Sequence, residues 1–105
     1  LIFDEIDTGV SGKAAQKIGK KLQMIASHRQ VICVTHSAQI AALADQQMLI
    51  RKSTAEGRTY TEVLPIEGEA RVEEVARIFS TDRVTELMLQ TARSMLEEGK
   101  RVPDA

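Results

Sequence analysis

Two polar pairs, each ending a short apolar run, carry the chemistry that this chain could perform. The first run is Leu1-Ile2-Phe3, and it ends in Asp4-Glu5. Adjacent acids at the tip of a buried strand suit phosphoryl transfer. One holds Mg2+, usually through water, while its neighbour faces the γ-phosphate and orients or deprotonates the attacking water. In that arrangement Asp4 is the metal residue and Glu5 the base. Strands also end in solvated acids that do no chemistry, so the pair alone leaves both readings open. The second run, Val31-Ile32-Cys33-Val34, ends in Thr35-His36. Neighbouring parallel strands bring their carboxyl ends together, where open α/β sheets bind ligands. His36 would then reach a phosphate or the attacking water; taken singly, it is as readily a structural histidine. Directly after the acids, Asp7-Thr8-Gly9-Val10-Ser11-Gly12 has turn chemistry. It is either an ordinary strand-to-helix turn or a loop whose glycines let another backbone approach closely.

The elements that must position these residues are legible in outline. Residues 1–3 read as a buried parallel strand. A helix over about 12–28 follows, with Ser11 as a candidate N-cap and Ala14, Ile18, Leu22 and Ile25 on one face. Residues 31–34 form a second buried strand, and a short helix runs over about 37–44. Residues 48–52 and 59–66 read as strands joined through Ala55-Glu56-Gly57, a β-hairpin, with Pro65 marking an edge or a strand end. A helix over 68–79 presents Val72, Val75, Ala76 and Phe79. Another over 82–98, capped by Ser80 or Thr81, presents Val84, Leu87, Met88, Thr91 and Met95. Gly99 serves as its C′ residue, and the tail through Pro103 is expected to fray. The order predicts an α/β fold with parallel strands, right-handed crossover helices, a hairpin and two closing helices. Those closing helices are expected to pack on the sheet, or to cover apolar surface by self-association.

Composition bounds the rest. The chain has 105 residues, 43% hydrophobic and 28% charged, so it holds one folded domain or part of one. With 3% aromatic residues, its core must be aliphatic. Met24, Met48, Met88 and Met95 read as core or interface filler. A net charge of −1 argues against a broad nucleic-acid footprint, leaving a local patch or other parts of a longer protein to contact DNA. Lys13, Lys17, Lys20 and Lys21 make one basic helix face, either a solvated surface or a DNA contact whose binding would fall steeply with salt. Cys33 is the single cysteine and reads as a reduced cytosolic thiol packed as a small hydrophobe. No stretch approaches a membrane span, and no basic leader is visible. A start on an apolar strand without Met reads as a cut through a larger protein.

Taken together, the motifs resemble those of ABC-type ATPases. Asp4-Glu5 after its apolar run resembles the Walker B motif, the segment from Asp7 to Gly12 stands in the place of the D-loop, and Thr35-His36 looks like the H-loop with its switch histidine. Transporters usually continue the acids with a small-Ser/Ala-Leu-Asp pattern and SMC proteins with Asp-Ala-Ala-Leu-Asp; neither is present. Asp4-Glu5-Ile6-Asp7-Thr8-Gly9-Val10-Ser11-Gly12, then residues 30–36 and the segment Gln39-Ile40-Ala41-Ala42-Leu43-Ala44-Asp45, look like the RecN family. The Asp-Thr-Gly-Val-Ser-Gly turn is the discriminating part, and the resemblance runs from Leu1 through about Leu96.

That resemblance implies the C-terminal segment of an ATPase head whose two copies sandwich ATP and Mg2+. The parent protein would act in recombinational repair of broken DNA, in the cytoplasm at the nucleoid. Carried over by position, Asp4 supports Mg2+, Glu5 is the general base and His36 senses the γ-phosphate. Asp7 and Ser11 belong to the loop facing the opposing head. The partners implied are the remainder of the same head, a second head and DNA, with no membrane. This chain contains no phosphate-binding loop, signature motif or coiled-coil arm. Alternatives are a head segment of another SMC-like or transporter ATPase, or a noncatalytic dimerisation or DNA-binding module.

Overall fold

A computed structural model describes residues 1–4, 9–80 and 82–100. Element order is β1 (Ile2–Asp4), α1 (Gly12–Ala26), β2 (Ile32–Val34), α2 (Ala38–Ala42), β3 (Gln47–Ala55), β4 (Arg58–Ile66), α3 (Gly68–Phe79) and α4 (Glu86–Gly99). β1 and β2 pair in parallel, with Ile2 opposite Ile32, Phe3 opposite Cys33 and Asp4 opposite Val34. A parallel pair needs a crossover connection, and α1 supplies it. β3 and β4 form a separate antiparallel hairpin, from Gln47 opposite Ile66 to Ala55 opposite Arg58. The hairpin turns at Glu56 and Gly57, whose φ values of 52° and 75° are the left-handed pair that a tight two-residue connection needs.

Caps fix where the first helices begin. The Ser11 hydroxyl accepts from the backbone N–H of Ala14, and the Ser37 hydroxyl accepts from that of Ile40. Each satisfies a donor that the first turn of a helix leaves without an intrahelical partner. The core lies among helices. Ala38, Val72, Val75, Ala76 and Ala92 are buried, with Ile78, Phe79, Met88, Leu89, Met95 and Leu96 packed around them. It is aliphatic, as composition required, and its largest fully buried side chain is only Val75. α1 lies against α2 through Ala15 and Gly19, where an added Cβ on Gly19 would meet Leu43 Cδ1 at 2.4 Å.

Several expectations need correction. The parallel strands are not buried on both faces, since Ile2 is 76% and Ile32 51% exposed. A sheet of two strands has faces that the described helices do not cover. The closing helices pack on each other and on α2 rather than on the sheet. α4 begins at Glu86, not near residue 82, because the Thr85 hydroxyl caps it by accepting from Met88 N–H at 3.2 Å. Val84 therefore precedes the helix, and Leu87, at 72% exposure, faces away from the core. Thr91 is exposed too, and Ala92, Leu89 and Leu96 take the inner face. Gly99 ends α4 as a buried helical residue rather than standing beyond it, with Lys100 as the C-cap. Met88 and Met95 pack on the core, but Met24 and Met48 are 68% and 55% exposed. Thr81 and the tail through Pro103 lie outside the described residues.

Candidate active site

Asp4 closes β1 and stands in register with Val34, the last residue of β2 and two positions before His36. Because the pairing is parallel, the chain leaves both strands at the same edge. This arrangement brings the acid-bearing end of one strand and the histidine-bearing end of the other together. Asp4 is exposed at that edge. Glu5 and Asp7 lie outside the described residues.

The turn carrying His36 is held by its own polar groups. The Ser37 N–H donates to Thr35 Oγ1 at 2.9 Å, while the Ser37 hydroxyl donates to Gln39 Oε1 at 3.2 Å. These bonds, with the cap on α2, fix the direction in which the chain turns from strand to helix. His36 is exposed and lines a cleft of about 510 Å³. Gly9, Val10 and Gly12, from the turn that follows the acids, line the same cleft. Gly9 has φ +79°, a conformation that side-chain-bearing residues rarely adopt. Gly12 leaves room for Gln39, whose Nε2 would lie 3.2 Å from a Cβ added there. Ser11, between Val10 and Gly12, has its hydroxyl engaged in capping α1.

Gln39, Ile78 and Phe79 line the cleft as well, and the sequence does not mark them as site residues. Gln39 stands in the first turn of α2, just after the turn that carries His36. Ile78 and Phe79 come from the far end of α3, and only tertiary packing brings them to the cleft.

Among the described residues, no group of three or more His, Cys, Asp or Glu could hold a metal ion. A single exposed carboxylate still fits Mg2+, which keeps several waters and takes one or two carboxylates together with substrate phosphates.

This parallel strand–helix–strand unit, followed by a hairpin and a helical cap, has the fold of a solved ATPase of the SMC kind. A solved structure described as "Structural biochemistry of ATP-driven dimerization and DNA stimulated activation of SMC ATPases" superposes with a TM-score of 0.61 at 19% identity. The match covers 79% of this chain and 49% of that one. Within that class, the chain belongs to the RecN family and corresponds to a C-terminal segment of its members. The DNA repair protein RecN of Bacillus subtilis is 40% identical over 102 residues, covering 97% of this chain. That of Halalkalibacterium halodurans is 43% identical over 97 residues, and that of Treponema pallidum 41% over 101. The chain spans only 17–18% of the length of these relatives. No family model matches it.

Proposed function

We propose that the chain supplies the hydrolytic edge of an ATPase head in a protein that repairs DNA double-strand breaks by recombination. The phosphate-binding loop, the signature motif and a coiled-coil arm belong to the remainder of the longer protein. The observation that carries this reading is the register of Asp4 with Val34, which directs Asp4 and the strand leading to His36 to one edge. Asp4 would hold Mg2+, and the ion would supply charge neutralisation for the triphosphate when bound. Glu5 accepts the proton of the attacking water and orients it. His36, held by the bonded turn at residues 35–39, faces the terminal phosphate and registers its presence. Asp7 and Ser11 lie in the loop that meets a second head, so that two heads enclose ATP between them. DNA is engaged through the intact protein, in the cytoplasm at the nucleoid. No described helix is long and apolar enough to cross a membrane.

The test is Glu5→Gln in the longer protein. ATP binding should persist, hydrolysis should fall to background, and the nucleotide-bound dimer should accumulate on a sizing column. Equal hydrolysis by variant and parent would remove Glu5 from the mechanism. The 105-residue chain by itself should not turn over Mg-ATP, because most nucleotide affinity resides in a phosphate cradle that it does not contain.

A further inference from the structure

Helix α1 places its charges against the ordinary rules of helix stability. Its sequence holds Lys13, Lys17, Lys20 and Lys21 and no acid, and its first turn contains no acidic residue. Like charges one turn apart destabilise a helix, and a cation in the first turn opposes the helix dipole. All four lysines are exposed. At 3.6 residues per turn they fall within about 100° of arc, opposite the buried Ala15 and Gly19. None of them forms an ion pair with another described residue, whereas Arg51, Arg77, Arg93 and Lys100 pair with Glu62, Glu74, Glu69 and Glu97. Met24, 68% exposed, lies on the same stripe and puts an apolar thioether among the ammonium groups. Such a stripe costs the free helix stability, which an extended anion lying along it would return.

The chemistry of that anion can be narrowed. A lipid surface requires an apolar helix face to enter it, and the apolar face of α1 is turned toward α2. No aromatic anchor stands on the stripe, as a protein partner's hot spot would demand. What fits is a polymer with charge at regular intervals. The stripe from Lys13 to Lys21 is about 12 Å long, and a duplex carries about one phosphate per 1.7 Å of its axis. We infer that the lysine face of α1 binds the sugar–phosphate backbone of duplex DNA, independently of sequence. The choice of DNA over RNA rests on the repair function proposed above. α1 also starts at the cleft that Gly12, Ala15 and His36 line together, so DNA would lie one helix away from the hydrolytic edge.

The test uses the 105-residue chain without nucleotide, so its failure leaves the Glu5→Gln experiment untouched. Anisotropy of a labelled duplex of about 20 base pairs is followed from about 25 to 200 mM salt. Changing all four lysines to Gln should flatten the slope of log K against log salt by about 3 to 4, and weaken binding at low salt at least about tenfold. The variant with Arg at all four positions keeps the charge and should retain affinity and slope. Both should match the parent in circular dichroism, since the side chains are exposed. Absence of duplex binding by the parent, an unchanged slope in the Gln variant, or loss of binding in the Arg variant would each overturn the inference. Tighter binding to a glutamate polymer of equal charge than to the duplex would overturn it as well, assigning the face to an acidic protein.

Discussion

The side-chain amide of Gln23 donates to the main-chain oxygen of Gly99 at 2.8 Å, across a sequence separation of 76 residues. The same nitrogen donates to the main-chain oxygen of Leu43, also at 2.8 Å. One side chain of α1 thereby fastens the carboxyl ends of α2 and α4. Since α2 begins at the turn carrying His36, this node holds the helix that aims the histidine.

Gln23→Ala leaves two partly buried carbonyls without their donor. Losing such a donor costs about 1–3 kcal/mol. In a domain of this size each kcal/mol corresponds to a fall of about 4–8 °C in Tm. A thermal melt that matches the parent's would show that the node contributes nothing.

Two glycines should respond oppositely to Ala. A Cβ at Gly99 would stand 2.3 Å from the Ala42 carbonyl oxygen, which is backbone and cannot swing aside. Gly99→Ala should therefore displace the end of α4 and destabilise by about 1–3 kcal/mol. A Cβ at Gly19 would clash with the tip of Leu43, a side chain that can change rotamer, and would meet Ile40 Cα only at an ordinary 3.6 Å. Helix propensity favours Ala over Gly by about 1 kcal/mol, so Gly19→Ala should be near neutral. Equal melting shifts for the two variants would contradict this distinction.

Arg71 anchors the root of the hairpin to the helices. Its guanidinium donates to Ala41 O at 3.1 Å, to Ala44 O at 2.7 Å and to Gln47 Oε1 at 3.0 Å. Burial pushes its pKa below the ordinary value, while Asp45 opposes that shift. The ordinary value lies so far above neutrality that the group stays charged in the folded and unfolded chain alike, and its contribution is flat across neutral pH. Arg71→Met keeps the stem and removes the donors, and should cost about 1–3 kcal/mol in chemical denaturation at any pH between about 6 and 8. A loss confined to one end of that range would refute the account.

His36→Ala in the longer protein should lower kcat about a hundredfold or more while leaving ATP affinity within about twofold, as expected of a group that acts on the terminal phosphate. A matching rise in KM with kcat preserved would mean that His36 merely holds the nucleotide.

A local rule is the deciding force at the hairpin and at the start of α1. The hairpin followed from Ala55-Glu56-Gly57, because few residue pairs accept left-handed φ at adjacent positions. α1 was bounded by Ser11 because a hydroxyl before an apolar-periodic run has a donor to satisfy. At the start of α4, by contrast, local rules compete. Ser80, Thr81 and Thr85 are all competent caps, and the choice of Thr85 follows the packing of Met88, Ala92 and Met95 against α3. The exposed Ile2 and Ile32 misled for a related reason. A β-branched apolar run declares that a strand prefers burial, but not which surface will bury it.

By itself, then, the sequence determined the chemical inventory: the acids of residues 4–5, the imidazole at residue 36, a glycine-bearing turn and the alternation of strands with helices. Residue types and spacings are local quantities, and the chain states them directly. Tertiary structure alone decided that Asp4 lies beside Val34, that Ile78 and Phe79 line one cleft with His36, and that Gln23 ties Gly99 to Leu43. Those relations join residues far apart in sequence, and they arise from which surfaces exclude water together, a balance that no short segment contains.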